Sequence, residues 1–183
     1  FMYQYALPIL NERAGTGNPF FSVLLSISNH PPYVIPPYFH PHSDVLEEQI
    51  VEYADWSIRQ FMQAAEKQPW FDNTIFVFLG DHGKMVGTPE CEMPQSYNHI
   101  PLMIYGKDIK PGVYDGFGGQ VDVSPTLLGL LNISYLQNNF GVNLLEEERP
   151  CMFFTADNLI GARDSVNMFI YSPDSQQEFK YKL

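Results

Sequence analysis

A chain of 183 residues, of which 45% are apolar, is long enough to bury a sizeable core, and this composition argues against a disordered protein. A net charge of −11 with only 10 lysine and arginine residues argues against a nucleic-acid partner, because such a surface repels a phosphate backbone. An anionic small substrate is compatible with this charge only if a metal ion or a group of histidines supplies local positive charge.

The first predicted element is a buried β-strand at residues 20–28. This run is nearly continuous in apolar residues and rich in aromatic and branched side chains, which is typical of a strand buried on both faces of a parallel sheet. The next segment, residues 29–38, contains two pairs of consecutive prolines, which remove backbone donors and disfavour helix. We therefore expect a stiff loop at the end of the strand, and His30 lies in this loop.

A surface helix is predicted over residues 44–67. Apolar residues recur there at intervals of three or four, charged residues occupy the opposite face, and Asp44 is a candidate N-cap. Pro69 ends the helix, and residues 73–78 have the composition of the next buried strand. The order strand, helix, strand implies a right-handed crossover and a parallel sheet.

The remaining elements complete the predicted order. Residues 83–98 are expected to form an irregular loop long enough to be functional, and residues 99–105 a third strand. A capping Asp122, a proline in the first turn and a leucine face mark the start of a structural helix. Alternating apolar and polar residues predict a small antiparallel sheet within residues 151–183.

An adjacent aspartate and histidine, Asp81 and His82, lie where the second predicted strand ends. A carboxylate and an imidazole can together bind one divalent cation such as Zn²⁺ or Mn²⁺. His30 follows another predicted strand of the same sheet, and open α/β sheets place their ligand sites at strand ends. The dipeptide alone is also compatible with a structural role, in which Asp81 caps the following turn and His82 donates to a carbonyl group.

The order and spacing of several segments resemble the sulfatase-like branch of the alkaline phosphatase superfamily, in particular the lipoteichoic acid synthase and phosphoglycerol transferase group. The segments that carry the resemblance are residues 26–33, 53–55, 72–83, 99–106 and 120–128. The resemblance implies an α/β fold of three layers, in which helices flank a mostly parallel sheet and a small antiparallel sheet follows at the C-terminal end. It also implies that residues 1–150 are the C-terminal half of a catalytic domain, with residues 151–183 as a small antiparallel subregion of the same domain.

The resemblance also assigns roles to individual residues. It implies that Asp81 and His82 bind a single catalytic cation, Mn²⁺, Mg²⁺ or Zn²⁺, and that His30 contacts the phosphate of the substrate. His99 is a further candidate for a substrate contact, although a histidine that leads into a buried strand is more often structural. The family's nucleophile is a threonine or a formylglycine upstream of the histidine that matches His30, and no such motif precedes His30 here; Thr16 has the surroundings of a turn residue. We therefore expect a fragment that lacks the nucleophile.

For the parent protein, the resemblance implies a metal-dependent phosphoryl-group transferase of phosphoglycerol type, or a phosphodiesterase, acting on an anionic phospholipid head group. One alternative is a sulfatase that hydrolyses sulfate esters with formylglycine and Ca²⁺, although His82 as a ligand favours a softer metal. A second alternative is a non-catalytic metal-binding module. The isolated chain fits that description, because two ligands without a nucleophile should not turn over a substrate.

The resemblance places the parent protein at the cell membrane, on the extracytoplasmic face, anchored by N-terminal helices. The chain itself has no apolar run of the roughly 18 to 20 residues that span a bilayer and no targeting segment, so we expect it to be soluble. It begins with Phe, as a piece of a longer protein or a processed chain would. Cys91 and Cys151 are too few for a disulfide framework, and whether they pair stays open.

Overall fold

The computed structural model describes residues 2–85 and 87–183, which form two compact units. The first unit is Phe1–Phe76 with Tyr105–Ile109, and the second unit is Val77–Ile104 with Lys110–Leu183. Each unit contains a buried apolar cluster of its own. Among the helices of the described residues, none has the length and the apolar character needed to cross a membrane.

Two helices form the core of the first unit. Helices α1 (Met2–Gly15) and α2 (Leu46–Ala65) pack through the buried side chains of Leu10, Phe61 and Ala65. Because the apolar residues of α2 recur every three or four positions, one face of the helix is buried while its charged face stays in water. The half-buried residues that complete the cluster are Tyr3, Leu7, Leu24, Met62, Trp70, Phe71 and Phe76.

The predicted surface helix is confirmed as α2, but its N-cap is Val45 rather than Asp44. Val45 provides no side-chain cap, and Glu52 holds the chain that enters the helix. The Glu52 carboxylate accepts hydrogen bonds from the backbone N–H groups of His42 at 2.7 Å and Ser43 at 3.0 Å, and these bonds lower its pKa. The N-cap prediction was wrong because the stabilising carboxylate comes from within the helix, not from the residue before it.

Residues 20–28 do not form a strand in this structure but irregular backbone that leads into a turn. Most side chains of the run are exposed, among them Phe21 at 87% and Ile27 at 80%, whereas Leu24 packs against the core of the first unit. No strand among the described residues pairs with this run. The expected central parallel strand is therefore absent here, because a strand requires a neighbour to exchange backbone hydrogen bonds.

Two short paired strands correspond to the second and third predicted strands. Strands β1 (Phe76–Leu79) and β2 (Leu102–Tyr105) form a two-stranded sheet, and a short 3-10 helix (Phe71–Asn73) precedes β1. The predicted irregular loop between these strands contains a single-turn helix, α3 (Gln95–Asn98). The mostly parallel, three-layer sheet is not confirmed by the described residues, whose larger sheet is antiparallel.

A four-stranded antiparallel sheet in the second unit confirms the small antiparallel sheet predicted for the C-terminal tail. Its strands pair in sequence order and are β3 (Met152–Ala156), β4 (Leu159–Arg163), β5 (Asn167–Ser172) and β6 (Gln177–Lys182). The two-residue turn between β3 and β4 places Asp157 and Asn158 at φ values of 49° and 61°, which Asp and Asn tolerate better than other residues. The sheet buries Met168 and Ile170 together with Met93.

The last helix, α4 (Gln120–Leu130), begins three residues earlier than a cap at Asp122 predicts. Gly119 is its N-cap, and Asp122 is the third residue of the helix, where its Oδ2 accepts the backbone N–H of Gly119 at 2.8 Å. The expectation that Asp122 is the cap itself was wrong. The carboxylate instead reaches back to the capping residue, which is the task of the third helical position in a capping box.

Asp122 is fully buried and forms an ion pair with Arg149. Arg149 donates from Nε to Oδ2 at 2.7 Å and from Nη2 to Oδ1 at 2.5 Å, while the backbone N–H of Val142 donates to Oδ1 at 2.8 Å. Burial by itself raises the pKa of Asp122, but the hydrogen bonds from Arg149, Val142 and Gly119 outweigh burial and hold the pKa below its ordinary value. The pair therefore ties the start of α4 to the chain around residues 142–149.

The substitution Asp122→Asn is expected to lower the free energy of unfolding by roughly 3–5 kcal/mol at pH 7, because it leaves the Arg149 guanidinium without its buried partner. The folded-state pKa of Asp122 lies below the unfolded value of about 3.9. Asp122 therefore stabilises the fold above that pH, and the stabilisation is lost as the pH falls through the folded pKa. Urea unfolding at a series of pH values should show that the free energy of unfolding decreases less in the variant than in the wild type as the pH falls.

The matched control is Glu178→Gln, which removes an exposed ion pair with Lys180 (2.9 Å) from the same unit. Exposed pairs contribute little to stability, so the unfolding midpoint of this variant should stay close to that of the wild type. Equal midpoints for Asp122→Asn and Glu178→Gln would contradict the stabilising role of the buried pair.

Candidate metal centre

The loop at residues 80–84 follows β1 directly and is held by backbone hydrogen bonds. The N–H of Gly80 donates to the carbonyl of Pro101 at 3.3 Å, and the N–H of Gly83 donates to the carbonyl of Tyr97 at 2.8 Å. Both acceptors lie in the segment that leads into β2. The end of one strand is thus connected to the approach of the next, and the side chains between these two bonds project from an anchored backbone.

Close packing around Gly83 requires a glycine in this loop. A Cβ atom at Gly83 would lie 2.1 Å from the carbonyl oxygen of Ser96, far inside van der Waals contact. The absence of a side chain lets the loop approach α3 closely enough for the His82 ring to stack on Tyr97, with ring centroids 5.8 Å apart and an interplanar angle of 18°. The glycine therefore sets where the His82 ring lies.

The side chains of Asp81 and His82 each use one polar atom locally and leave one free. Asp81 Oδ1 accepts the backbone N–H of His82 at 2.9 Å, and His82 Nδ1 lies 2.8 Å from the carbonyl oxygen of Gly83. Because a carbonyl oxygen can only accept, Nδ1 carries the hydrogen, and in the neutral ring Nε2 presents its lone pair. Asp81 Oδ2 and His82 Nε2 are 4.0 Å apart.

This pair has the donor chemistry of a divalent-cation site, and its two atoms are close enough for one cation to reach both. A metal-bound histidine usually donates its other ring N–H to a carbonyl or carboxylate, as His82 does to Gly83. Zn–N and Zn–O bonds sum to roughly 4.2 Å, so one cation can reach both Asp81 Oδ2 and His82 Nε2 across 4.0 Å, at a ligand–metal–ligand angle of roughly 145°; a tetrahedral angle requires the two atoms to move about 0.6 Å closer. The Asp81 side chain is 78% exposed and the His82 side chain is 61% exposed, which leaves both accessible.

Two side chains are fewer than the three or four protein ligands of a complete zinc site. Within residues 2–85 and 87–183, no three His, Cys, Asp or Glu side chains come close enough together to hold a metal ion. The pair of Asp81 and His82 can therefore bind a cation from one side and leaves the other coordination positions of the cation open.

Cys91 and Cys151 are free thiols, which answers the question of their pairing that the sequence left open.

Gln120, the first residue of α4, contacts the same loop. Its Nε2 donates to the carbonyl oxygens of Gly80 at 3.2 Å and Asp81 at 2.7 Å. The sequence patterns did not indicate this residue, because an amide side chain has no signature of metal binding or catalysis. The one available signal was its position in residues 120–128, a segment that carries the family resemblance.

His99 is exposed and lies just before β2. Its backbone N–H donates to the carbonyl of Gln95 at 2.8 Å and so ends the single turn of α3. The exposed ring keeps a contact with substrate open, and that role stays a prediction.

His30 belongs to the first unit and is also exposed. Its backbone N–H donates to the carbonyl of Ile27 at 3.1 Å, and its Nδ1 lies 2.8 Å from the carbonyl oxygen of Pro31. Nδ1 therefore carries a hydrogen, which it donates to the Pro31 carbonyl. For Nε2 to donate to a phosphate oxygen, both ring nitrogens must be protonated, which makes the ring a cation.

Comparison with known proteins matches most of the chain to one family. The family model described as Sulfatase matches residues 1–133. Lipoteichoic acid synthase 1 from Bacillus subtilis (strain 168) is 25% identical over 88% of this chain and 29% of its own length. Choline-sulfatase from Rhizobium meliloti (strain 1021) is 29% identical over 58% of this chain and 22% of its own length. The chain thus spans less than a third of the length of these relatives.

A solved structure resembles the fold of the whole chain. A protein in the alkaline phosphatase superfamily from Vibrio parahaemolyticus superposes with a TM-score of 0.83 at 24% identity. The match covers 100% of this chain and 48% of that protein's chain. At this level of identity the likeness shows that the two chains share a fold.

The substitution Gly83→Ala is expected to destabilise the second unit by roughly 1–3 kcal/mol, because the added methyl group overlaps the Ser96 carbonyl. It should also move the His82 ring away from Tyr97, which a changed ring-current shift of the His82 protons would report in NMR spectra. Gly112→Ala is the matched control, since a Cβ atom there meets nothing within 4 Å. Wild-type stability and wild-type His82 shifts in the Gly83 variant would contradict the close-packing argument.

Proposed function

The chain belongs to the sulfatase family, which confirms the resemblance drawn from the sequence, and from this premise we propose that it carries the metal-binding part of a phosphoryl-group transferase or phosphodiesterase. The observation that supports the proposal is the free pair Asp81 Oδ2 and His82 Nε2, 4.0 Å apart at the end of β1. Both side chains are largely exposed, and each is held by a local hydrogen bond. The substrate class we propose is an anionic phosphate ester, of which a phospholipid head group is one.

Each functional side chain has a separate task in this proposal. Asp81 and His82 hold one divalent cation, Mn²⁺, Mg²⁺ or Zn²⁺, which when bound lowers the pKa of a nucleophile and stabilises charge on phosphoryl oxygens. His30, protonated on both nitrogens, donates from Nε2 to a phosphate oxygen while Nδ1 stays bonded to Pro31. His99 offers a further contact with substrate from its exposed position before β2.

The nucleophile of the complete enzyme is expected from a part of the parent protein outside these 183 residues. We propose that residues 1–150 belong to one catalytic domain and that residues 151–183 are its small antiparallel subregion. In that domain the exposed run at residues 20–28 would gain a neighbouring strand and join β1 and β2 in a three-layer, mostly parallel sheet. The support for this is the exposure of most apolar side chains in the run, among them Phe21 at 87%.

The donor chemistry favours a phosphate ester over a sulfate ester. His82 supplies a nitrogen ligand, which suits Zn²⁺ or Mn²⁺ better than the oxygen-preferring Ca²⁺ of a sulfatase with formylglycine. Similarity to lipoteichoic acid synthase 1 covers 88% of the chain, whereas similarity to the choline-sulfatase covers 58%. By analogy with the synthases we propose phosphoglycerol-type transfer by a parent protein anchored in the cell membrane, with its active site on the extracytoplasmic face.

A sulfatase is the second candidate, and the match of residues 1–133 to the family model supports it. Substrate discrimination separates the two candidates in the full-length protein. A chromogenic phosphodiester should be turned over and a chromogenic sulfate ester should not. The opposite preference would contradict the transferase proposal and favour the sulfatase.

In the full-length protein, Asp81→Ala and His82→Ala are each expected to reduce phosphodiester turnover below detection while the fold is retained, because each removes a ligand of the cation. Steady-state rates and thermal unfolding measure the two properties separately. Asp115→Ala, at an exposed position of the second unit, is the control and should keep the wild-type rate. A wild-type rate in either ligand variant would refute the metal role.

The isolated 183-residue chain is expected to bind Mn²⁺ or Zn²⁺ weakly and to show no phosphodiesterase activity. Only two ligands are close together in the described residues, so the chain behaves as a metal-binding module without the nucleophile. Isothermal titration with each metal and an assay on a chromogenic diester test both halves of the prediction. Robust turnover by the isolated chain would show that it carries its own nucleophile and is not a fragment.

A further inference from the structure

We infer that Gln120 is the positioning residue of the metal-binding loop and sets the separation of the two ligand atoms on Asp81 and His82. The inference deepens the proposed function and rests on it for the identity of the ligands. Nothing in the family resemblance or in the similar proteins assigns a role to this amide. We infer the role from the hydrogen bonds between Gln120 and the loop and from the position of Gln120 in α4.

Packing holds the ligand side chains only in part, because 78% of Asp81 and 61% of His82 is exposed and the stacking on Tyr97 acts on His82 alone. Their positions must come from the backbone that carries them. Gln120 Nε2 donates to the carbonyl oxygen of Asp81 at 2.7 Å and to that of Gly80 at 3.2 Å. Two carbonyl groups in succession therefore point at one amide nitrogen, which restrains the peptide planes on both sides of the Asp81 Cα atom.

Gln120 can restrain the loop only because it is itself fixed. It is the first residue of α4, and the residue before it, Gly119, donates its backbone N–H to the buried carboxylate of Asp122. That carboxylate is held in turn by Arg149 and by the backbone of Val142. Hydrogen bonds, together with the peptide bond between Gly119 and Gln120, thus connect the buried carboxylate of Asp122 to the exposed metal-binding loop.

The backbone angle at Asp81 decides where Oδ2 lies relative to Nε2 of the next residue. The side chain of His82 is oriented separately, by its bond to the Gly83 carbonyl and by stacking on Tyr97. Gln120 therefore acts on one ligand while the other is fixed by the loop itself. If the amide is lost, the 4.0 Å separation of the two ligand atoms is no longer enforced.

Three variants of the full-length protein test the inference. Gln120→Leu removes both donors, Gln120→Glu places a carboxylate against two carbonyl oxygens, and Gln120→Asn keeps the amide but shortens its reach by one methylene group. Each should weaken Zn²⁺ binding by about 10- to 100-fold in isothermal titration, as loss of a residue that orients a ligand does. The visible spectrum of the Co²⁺-substituted protein should change as well, since it reports ligand geometry and not stability.

Gln137→Leu is the matched control, because Gln137 Nε2 also donates to loop carbonyl oxygens of the same unit, those of Asn139 and Gly141. Its unfolding temperature should fall as it does for Gln120→Leu, with unchanged Zn²⁺ affinity and Co²⁺ spectrum. If Gln120→Leu fails to fold, Gln120→Asn provides the same test. Wild-type affinity and spectrum in a folded Gln120 variant would overturn the inference.

A second measurement separates failure of the inference from failure of the proposed function. Amide hydrogen exchange of His82 and Gly83 in the metal-free protein should be about tenfold faster in Gln120→Leu, as loss of a hydrogen bond allows. If Asp81→Ala keeps wild-type Zn²⁺ affinity and turnover, the proposed metal function fails, and faster exchange would still support positioning of the loop by Gln120. Unchanged exchange would overturn the positioning role whatever the metal does.

Discussion

The buried carboxylate of Asp122 is the constraint on which the second unit depends. A charge removed from water costs several kcal/mol unless it is paired and fully hydrogen-bonded, and here Arg149 and two backbone N–H groups provide the compensation. Because these groups come from three stretches of chain, the carboxylate can be satisfied only when all three are in place. A charge that is costly when alone thus enforces one arrangement of α4 and the chain that follows it.

The candidate site differs from the buried Asp122, because its side chains are exposed to solvent and yet held in place. In the proposed function Asp81 and His82 receive a cation and a substrate from solvent, and side chains that are 78% and 61% exposed gain little rigidity from burial. Their order comes instead from hydrogen bonds to the backbone around them and from a glycine that lets the loop approach α3. The buried part of the unit is therefore where the precision of the site originates, and Gln120 is the group that joins the two.

The elements that could be predicted from the sequence are those whose signal is local. The three-to-four-residue repeat of α2 and the alternation of the C-terminal tail produced a helix and an antiparallel sheet where expected, and Asp81 and His82 are adjacent in the chain. Residues 20–28 carry an equally strong local pattern, but a strand also needs a neighbour, and apolar periodicity contains no information about one. Gln120 was missed for a related reason, because its partners lie about 40 residues away and amides have no distinctive spacing.

The charge of the chain constrains how an anionic substrate could be bound at all. With a net charge of −11, the long-range field opposes the approach of a phosphate ester. Ions in physiological salt screen exposed charges beyond about 8 Å, so attraction has to arise within contact distance of the substrate. The divalent cation that we propose on Asp81 and His82 would meet that condition, because it would place positive charge where the phosphoryl oxygens would lie. The acidic surface and the exposed ligand pair are therefore compatible, since selectivity for the anion would come from the metal position alone and not from the surrounding surface.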